Sequence, residues 1–255
     1  MRWRAAVTSI LLFVVGCGGS SSSTSAPASP PTPTAAPTRP PALRVATPSA
    51  VSGAPSPSPS PKARSLTYVA IGASDTVGVG ASDPARDGWV PQFARMLGAE
   101  TRVRNLGVSG TVLSTALAEQ LPQAIREQPD LVTVWLAVND LNAQVPLERY
   151  AADLDSLLGA LQRQTHARVL VANVPDLGVV PAYRDLDVPA LRKEVGRWNV
   201  AIADLARRHA ATVVDLYAEY AELAANPTYI SGDGFHPSSA GYRRIAELFY
   251  SAATT

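Results

Sequence analysis

Short apolar runs alternate with longer amphipathic stretches from Leu66 to Thr255, and this alternation limits the possible fold more than any other feature of the sequence. A short apolar run is typical of a strand buried on both faces, and an amphipathic stretch is typical of a helix packed on a sheet. The pattern predicts one α/β domain over residues 66–255, in which helices cover both faces of a five-stranded parallel sheet. The predicted strands are Leu66–Ile71, Arg102–Leu106, Leu131–Ala137, Arg168–Ala172 and Thr212–Leu216.

Helices are predicted between these strands from apolar spacing and from proline. Apolar residues recur at helical spacing over Leu147–Leu161, and Asp153 is predicted to face solvent on the opposite side of that helix. Pro122 lies inside the helical stretch 111–127 and is expected to split it, because proline lacks the N–H that an α-helix needs. The last helix is expected to begin at Pro237-Ser238.

The amino terminus is typical of an export signal. Arg2 and Arg4 precede the apolar run Ala5–Val15, which is too short to cross a bilayer, so residues 1–16 are interpreted as a signal peptide. Small residues lie before Cys17, as they do at the processing site of bacterial lipoproteins, and Cys17 is the predicted lipidation site. We expect an exported protein that lipidated Cys17 anchors to the membrane of a bacterial cell envelope. An ordinary secretory signal is the alternative, and the protein would then be secreted.

Residues 17–65 comprise Cys17 and a segment rich in serine, proline, alanine and threonine. Such a segment has too few large apolar side chains to form a core, so it predicts a disordered linker that proline stiffens toward polyproline II. The linker would hold the folded domain away from a membrane surface. A segment that only adds solubility and an O-glycosylated stalk both fit the same composition.

Composition and motifs argue against several functional classes. The formal net charge is +1, and Lys62 and Lys193 are the only lysines, so no nucleic-acid-binding surface is indicated. The sequence contains no Walker loop, no His-Glu-x-x-His and no Gly-x-Gly-x-x-Gly, and its 3 histidines are few for a histidine-rich metal site. No cofactor, metal or obligate protein partner is expected. Because Cys17 is the only cysteine, an intrachain disulfide is impossible.

Candidate catalytic residues follow the predicted strands at their carboxyl ends. Ser74 follows the first strand, Gly110 the second and Asn139 the third, while Asp233 and His236 lie between the fifth strand and the last helix. Carboxyl ends of parallel strands share one edge of a sheet, where open α/β folds bind ligands, so we expect these residues to meet. A serine hydroxyl becomes an effective nucleophile when an imidazole takes its proton and a carboxylate orients that imidazole. The arrangement predicts a serine hydrolase.

Taken singly, these residues have simpler interpretations. A Ser or Asp after a strand commonly caps a helix, and Asn139 and the glycines fit turns. The segment Asp233–His236 is harder to explain as a turn, because a turn does not require the histidine. Asp215, at the end of the fifth strand, is an alternative carboxylate partner for His236. Structural roles are expected for His166 and His209 at surface helix ends and for Trp89, Trp135 and Trp198 in packing.

Four segments resemble, in order along the chain, the four blocks of the SGNH hydrolases, also called the GDSL esterase and lipase family. The resemblance extends over the whole domain and rests on the order and separation of the blocks. It implies a flavodoxin-like three-layer α/β/α fold and hydrolysis of esters through an acyl-enzyme intermediate. The segments are Gly72-Ala73-Ser74-Asp75, Asn105-Leu106-Gly107-Val108-Ser109-Gly110-Thr111, Val138-Asn139-Asp140 and Asp233-Gly234-Phe235-His236-Pro237.

The resemblance also implies a role for each site residue. Ser74 would be the nucleophile, His236 the general base and Asp233 the carboxylate that orients the imidazole. The oxyanion hole would consist of the backbone N–H groups of Ser74 and Gly110 and the side-chain amide of Asn139. The expected substrates are small-molecule, glycan or lipid esters. The alternative is a surface lipoprotein that uses the same fold to bind a ligand without catalysis.

Two positions depart from the family pattern. Ala73 lies where the family usually has Asp, and this change is expected to alter the hydrogen bonds of the loop rather than the chemistry. Ala137 and Val138 approach Asn139 where the family commonly has a glycine. The branched side chain of Val138 is expected to narrow the acyl pocket, so we predict a preference for short acyl groups such as acetyl.

Overall fold

The computed structural model describes residues 65–255, so the predicted signal peptide, Cys17 and nearly all of the predicted linker lie outside the described residues. Five parallel strands form one sheet in the order β2-β1-β3-β4-β5, which confirms the predicted α/β fold. All five carboxyl ends therefore lie along one edge of the sheet. The strands are β1 (Thr67–Gly72), β2 (Arg102–Asn105), β3 (Leu131–Trp135), β4 (Arg168–Ala172) and β5 (Thr212–Val214).

Helices occupy the segments between the strands, and none of those within residues 65–255 is both long and apolar enough to cross a membrane. Short 3₁₀ turns at Leu177–Val179, Pro181–Tyr183 and Pro227–Tyr229 supplement them. The α-helices are α1 (Ser74–Val77), α2 (Pro84–Asp87), α3 (Trp89–Leu97), α4 (Leu113–Glu119), α5 (Leu121–Arg126), α6 (Ala137–Asn142), α7 (Leu147–Gln164), α8 (Val188–Arg208), α9 (Tyr220–Ala225) and α10 (Ser239–Thr254).

The helices lie where the sequence pattern predicts them, but the predicted exposure of Asp153 is wrong. The helix predicted from Leu147 is α7, and the split predicted at Pro122 separates α4 from α5. Ser238 caps α10, since its hydroxyl oxygen accepts from the N–H of Gly241 at 3.2 Å. Asp153, however, is buried rather than facing solvent. It lies near the edge of the apolar face, where Arg149 supplies a charged partner at 2.8 Å.

The strand β3 is shorter than predicted. It was expected to run to Ala137, but it ends at Trp135 and α6 begins at Ala137. Leu136 leaves the extended conformation, with a φ of −137° and a ψ of −32°. The apolar pattern does not mark this transition, because Leu136 and Val138 are buried on both sides of it. Asn139 consequently lies in the first turn of a helix.

Alternating residues of β1 enter the two halves of the core, as the twofold periodicity of a strand requires. Val69 and Ile71 pack with residues of α4, α5, α7 and α8 on one face. Tyr68 and Ala70 pack with α3 and α10 on the other. The three tryptophans predicted to pack are all buried, Trp198 in the first cluster and Trp89 and Trp135 in the second. Two layers of helices thus hold the sheet and position the loops at its carboxyl edge.

Candidate active site

The turn between β1 and α1 brings Ser74 to the carboxyl edge of the sheet. Gln120, at the end of α4, fixes the backbone just before the serine: the N–H of Gly72 donates to Oε1 of Gln120, and Nε2 of Gln120 donates to the carbonyl of Gly72, each at 2.9 Å. Gln120 is buried, so water does not compete for either hydrogen bond. Sequence reasoning missed Gln120, because nothing in the sequence around this amide, between α4 and α5, indicates that it pairs with the distant Gly72.

Ser74, His236 and Asp233 form a continuous chain of side-chain contacts. Nε2 of His236 lies 3.0 Å from Oγ of Ser74, and Nδ1 of His236 lies 2.7 Å from Oδ2 of Asp233. Ser74 and His236 are largely buried, while the Asp233 side chain is 43% exposed. The structure therefore brings together the three residues that the sequence predicted would meet, although Ser74 and Asp233 come from opposite ends of the domain.

The contacts determine which nitrogen of His236 carries the proton. An ionised carboxylate only accepts hydrogen bonds, so Nδ1 donates to Asp233 and leaves Nε2 of the neutral ring to accept from the Ser74 hydroxyl. Partial burial alone would raise the pKa of Asp233. The hydrogen bonds from His236, the Phe235 N–H and Ser231 outweigh that burial and lower the pKa of Asp233 to about 2. Asp233 is therefore ionised at neutral pH.

The loop that carries Asp233 and His236 is closed by its own hydrogen bonds. Oδ1 of Asp233 accepts from the Ser231 hydroxyl at 2.8 Å and from the His236 N–H at 2.9 Å, while the Ser231 N–H donates to the His236 carbonyl at 2.8 Å. Asp215, the alternative partner, instead accepts from Asn173 at 2.7 Å and from the N–H of Ala218 at 3.1 Å. The structure thus pairs His236 with Asp233.

Three groups expected to bind an oxyanion come from separate segments, α1, the turn before α4, and α6. Ser74 begins α1, so its N–H has no acceptor within that helix. Gly110 has a φ of +80°, which residues other than glycine rarely adopt, and a Cβ built there would meet no protein atom within 4 Å. Nδ2 of Asn139 donates one proton to the Thr111 carbonyl at 2.9 Å, which leaves its second N–H to point elsewhere.

The segment between β4 and α8 supports the loop of His236. The N–H of Ala182 donates to the Gly234 carbonyl at 2.9 Å, and the Tyr183 hydroxyl donates to Oδ1 of Asn142 at 2.9 Å. The Phe235 ring packs against the Tyr183 ring, with centroids 6.0 Å apart, and roughly perpendicular to the His236 imidazole, with centroids 4.7 Å apart. Sequence reasoning missed Tyr183 and Asn142, because both resemble ordinary buried polar residues in the sequence.

An apolar cavity of about 100 Å³ lies beside the site. Asp75, Val138 and Phe235, each next in sequence to a predicted site residue, contribute to its lining. Burial raises the pKa of Asp75, and the nearby His236 opposes this shift. Val138 is itself buried, so the cavity wall next to Asn139 is formed by a well-packed, branched side chain.

Neither remaining histidine lies at this site. His166 is exposed after the end of α7. His209 follows α8, and its Nε2 lies 2.9 Å from Oδ1 of Asp155. Within residues 65–255, no group of three or more His, Cys, Asp or Glu side chains is arranged to hold a metal ion.

A family model places this arrangement among known proteins. The model of the GDSL-like lipase/acylhydrolase family matches residues 70–244, which include the end of β1, all of β2 to β5 and the predicted catalytic and oxyanion-hole residues. The chain belongs to the GDSL-like lipase/acylhydrolase family. Membership in the GDSL-like lipase/acylhydrolase family makes the protein a carboxylic ester hydrolase.

Similar proteins agree with the family assignment. An acetylxylan esterase of Geobacillus stearothermophilus is 25% identical over 161 residues, which cover 58% of this chain and 70% of the relative. The crystal structure of Axe2, an acetylxylan esterase from the same organism, has a TM-score of 0.61 at 21% identity and covers 74% of this chain and 94% of its own. The structure of LAE5, an alpha/beta hydrolase enzyme from the metagenome of Lake Arreo, has a TM-score of 0.61 at 23% identity and covers 74% of this chain and 95% of its own. The two structures share the fold of this GDSL-like protein.

Proposed function

We propose that this protein is a serine esterase that cleaves carboxylic esters through a covalent acyl-enzyme intermediate. The single observation that supports the proposal best is the chain of contacts from Asp233 through His236 to Ser74, at 2.7 Å and 3.0 Å. This arrangement aligns an acceptor for the serine proton with a carboxylate that stabilises the imidazolium formed. A protein that only bound a ligand would have no need for that alignment.

The reaction has two halves that use the same groups in opposite directions. In the first half, Oγ of Ser74 attacks the ester carbonyl carbon as Nε2 of His236 takes its proton. The tetrahedral intermediate then collapses: the bond to the alcohol oxygen breaks, and His236 returns the proton to that oxygen. In the second half, His236 takes a proton from water, the hydroxide attacks the acyl carbon, and Ser74 Oγ leaves with the proton.

The oxyanion formed in both halves needs donors that are already in place. The N–H of Ser74, the N–H of Gly110 and the second N–H of the Asn139 amide are the proposed donors. Each is held by its own element or contact, α1 for Ser74, the positive φ for Gly110 and the bond to Thr111 for Asn139. Donors held this way need not reorganise as charge develops on the oxygen.

The proposal includes a short acyl group, with acetyl as the first candidate. The buried side chain of Val138 lies next to Asn139 and limits the space for a longer chain. An acetylxylan esterase among the relatives supports an acetyl ester of a glycan as the substrate. We expect faster hydrolysis of p-nitrophenyl acetate than of long-chain p-nitrophenyl esters. Val138→Ala should shift the preference toward longer chains, and an unchanged chain-length profile would count against this part of the proposal.

The basic test compares the full-length protein with Ser74→Ala on p-nitrophenyl acetate. The wild type should hydrolyse the ester with an initial burst of p-nitrophenol, because acylation releases the phenol before water regenerates the serine. Ser74→Ala should lose the burst and nearly all turnover. Equal rates for the two proteins would favour the alternative, a ligand-binding protein. Ser156→Ala is a matched control, because Ser156 is an exposed serine of α7 whose hydroxyl only donates to Ala152.

A further inference from the structure

Asp140 is a buried carboxylate that the proposed reaction does not use. It follows Asn139 in α6 and is only 1% exposed. Both of its oxygens approach one backbone group: Oδ2 accepts from the N–H of Leu113 at 2.9 Å, and Oδ1 lies 3.1 Å from the same nitrogen. Leu113 is the first residue of α4 and lies three positions after Gly110. The carboxylate therefore connects α6 to the segment that carries Gly110.

A second contact joins the same two segments. The Asn139 amide donates to the Thr111 carbonyl at 2.9 Å. Consecutive residues of α6 thus hold both ends of the short stretch from Thr111 to Leu113, one by accepting from it and one by donating to it. Gly110, directly before this stretch, is exposed, and a Cβ added to it would meet no atom within 4 Å. The stretch that follows Gly110 therefore helps to set its position relative to Asn139.

We infer that Asp140 is a positioning residue, which fixes the Gly110 N–H and the Asn139 amide at the separation that an oxyanion requires. This inference rests on the proposed function, because it assigns Asp140 a role in the same oxyanion hole. Asp140 itself touches neither the substrate nor the reacting atoms. A displacement of about 1 Å in a catalytic donor can lower the rate by about 100-fold. A carboxylate that holds the segment of Gly110 can therefore affect turnover without taking part in the reaction.

The first measurement is the separation of kcat from KM in Asp140→Ala. This variant should lower kcat by about 100-fold and change KM by less than about threefold, because a misplaced oxyanion donor weakens binding of the transition state more than binding of the ester. Asp140→Asn is nearly isosteric and keeps an acceptor oxygen for Leu113. It should fold and lower kcat by about tenfold, since its NH₂ group adds buried donors beside that oxygen.

The second measurement distinguishes positioning from a general loss of stability. If Asp140 acts through the oxyanion hole, replacing it should have little further effect on kcat once the Asn139 donor has been removed. In an Asn139→Ala background, either Asp140 substitution should lower kcat by less than about threefold. Asp130→Ala is the matched control, because Asp130 also accepts from a backbone N–H, that of Thr67 at 2.8 Å, but at the amino-terminal end of β1. That variant should keep the wild-type kcat in its folded fraction.

The outcomes separate failure of this inference from failure of the proposed function. The positioning role would be overturned if both Asp140 variants kept the wild-type kcat. It would also be overturned if the Asp140 substitutions lowered kcat by the same factor in the wild-type and Asn139→Ala backgrounds. If the wild type were no faster than Ser74→Ala, the proposed function would fail instead. Amide hydrogen exchange provides a readout that does not depend on activity. Exchange at Leu113, whose N–H donates to Asp140, should become faster in Asp140→Ala but not in Asp130→Ala, and unchanged exchange would also contradict the inference.

Discussion

At the scale of the residue, the chemistry depends on which polar groups keep a free hydrogen-bonding direction. Asn139 shows this clearly, since one amide proton is bound to Thr111 and fixes the direction of the other. His236 shows it as well, because Asp233 occupies Nδ1 and leaves Nε2 for Ser74. In each residue, a neighbouring hydrogen bond fixes one polar atom or proton and leaves the other available for the reaction.

Asn139→Ala should lower kcat by roughly 100- to 1,000-fold, since loss of one oxyanion donor typically costs about 2.7 to 4 kcal/mol of transition-state stabilisation. KM should change little, because the donor acts mainly on the charged intermediate. Steady-state kinetics on p-nitrophenyl acetate measure both constants. A rise in KM with an unchanged kcat would instead indicate a role for Asn139 in substrate binding.

Asp140 should make stability depend on pH in an unusual direction. Burial raises its pKa to about 7, the bonds from Leu113 oppose the shift, and the charge of Asp153 adds to it. The folded protein therefore keeps a proton between about pH 4 and 7 that the unfolded chain releases, so this residue lowers stability as the pH rises through that range. The α7 groups that interact with Asp140 are the Asp153 carboxylate and the Tyr150 hydroxyl, and Arg149 pairs with Asp153 at 2.8 Å.

Urea denaturation at pH 5 and pH 8 tests this dependence. The free energy of unfolding of the wild type should fall relative to that of Asp140→Asn as the pH rises, because asparagine cannot ionise. Asp233 does not obscure the comparison. The pKa of Asp233 is lowered to about 2, so its contribution is present above about pH 4 and is lost only as the pH falls toward 2. Parallel curves for the two proteins would contradict the assignment to Asp140.

At the scale of the element, the site depends on contacts between segments that are distant in sequence. Gly80, in the segment between α1 and α2, lies close against the loop of His236. Gly80 has a φ of +95°, and a Cβ added there would lie 2.5 Å from the Pro237 carbonyl oxygen and 3.0 Å from Cβ of His236. A side chain larger than hydrogen at position 80 would therefore collide with the loop that carries His236.

Gly80→Ala should therefore displace His236 and lower kcat by about 100-fold, the effect expected of a shift of about 1 Å. Gly98→Ala is the matched control. Gly98 also has a positive φ, +127°, but a Cβ there would meet nothing within 4 Å. Both variants should lose stability from backbone strain. Only Gly80→Ala should lose activity per folded molecule, and equal activity in the two would argue against the contact.

At the scale of the whole molecule, we propose that the catalytic domain is exported and tethered. The proposal rests on the amino-terminal residues, with the apolar run Ala5–Val15, the single cysteine at position 17 and the proline-rich segment that follows. Two or more acyl chains on one residue would provide a stable membrane anchor, whereas a single chain would bind only weakly. A stiff linker would then let the active site reach esters beyond the membrane surface.

Cys17→Ser should move the protein from the membrane fraction to the soluble fraction of the expressing bacterium. Activity of the domain on p-nitrophenyl acetate should stay the same, because Cys17 takes no part in the proposed chemistry. Fractionation and mass spectrometry of the mature amino terminus measure both effects. Ser74→Ala is the converse control, which should lose activity and keep its location. A wild-type protein found only in the medium would favour simple secretion.

The sequence by itself determined the α/β class and the positions of all five strands to within two residues, and it predicted that Ser74, His236 and Asp233 would meet. Strand and helix periodicities are local properties, and the rule that parallel strands share a carboxyl edge needs no coordinates. Only the tertiary structure decided that His236 pairs with Asp233 rather than Asp215, that β3 ends before Ala137, and that Gln120, Tyr183 and Asp140 support the site. Each of these outcomes depends on how segments far apart in the chain pack against one another. The spacing of residues along the sequence does not give the distances between such segments in the folded protein.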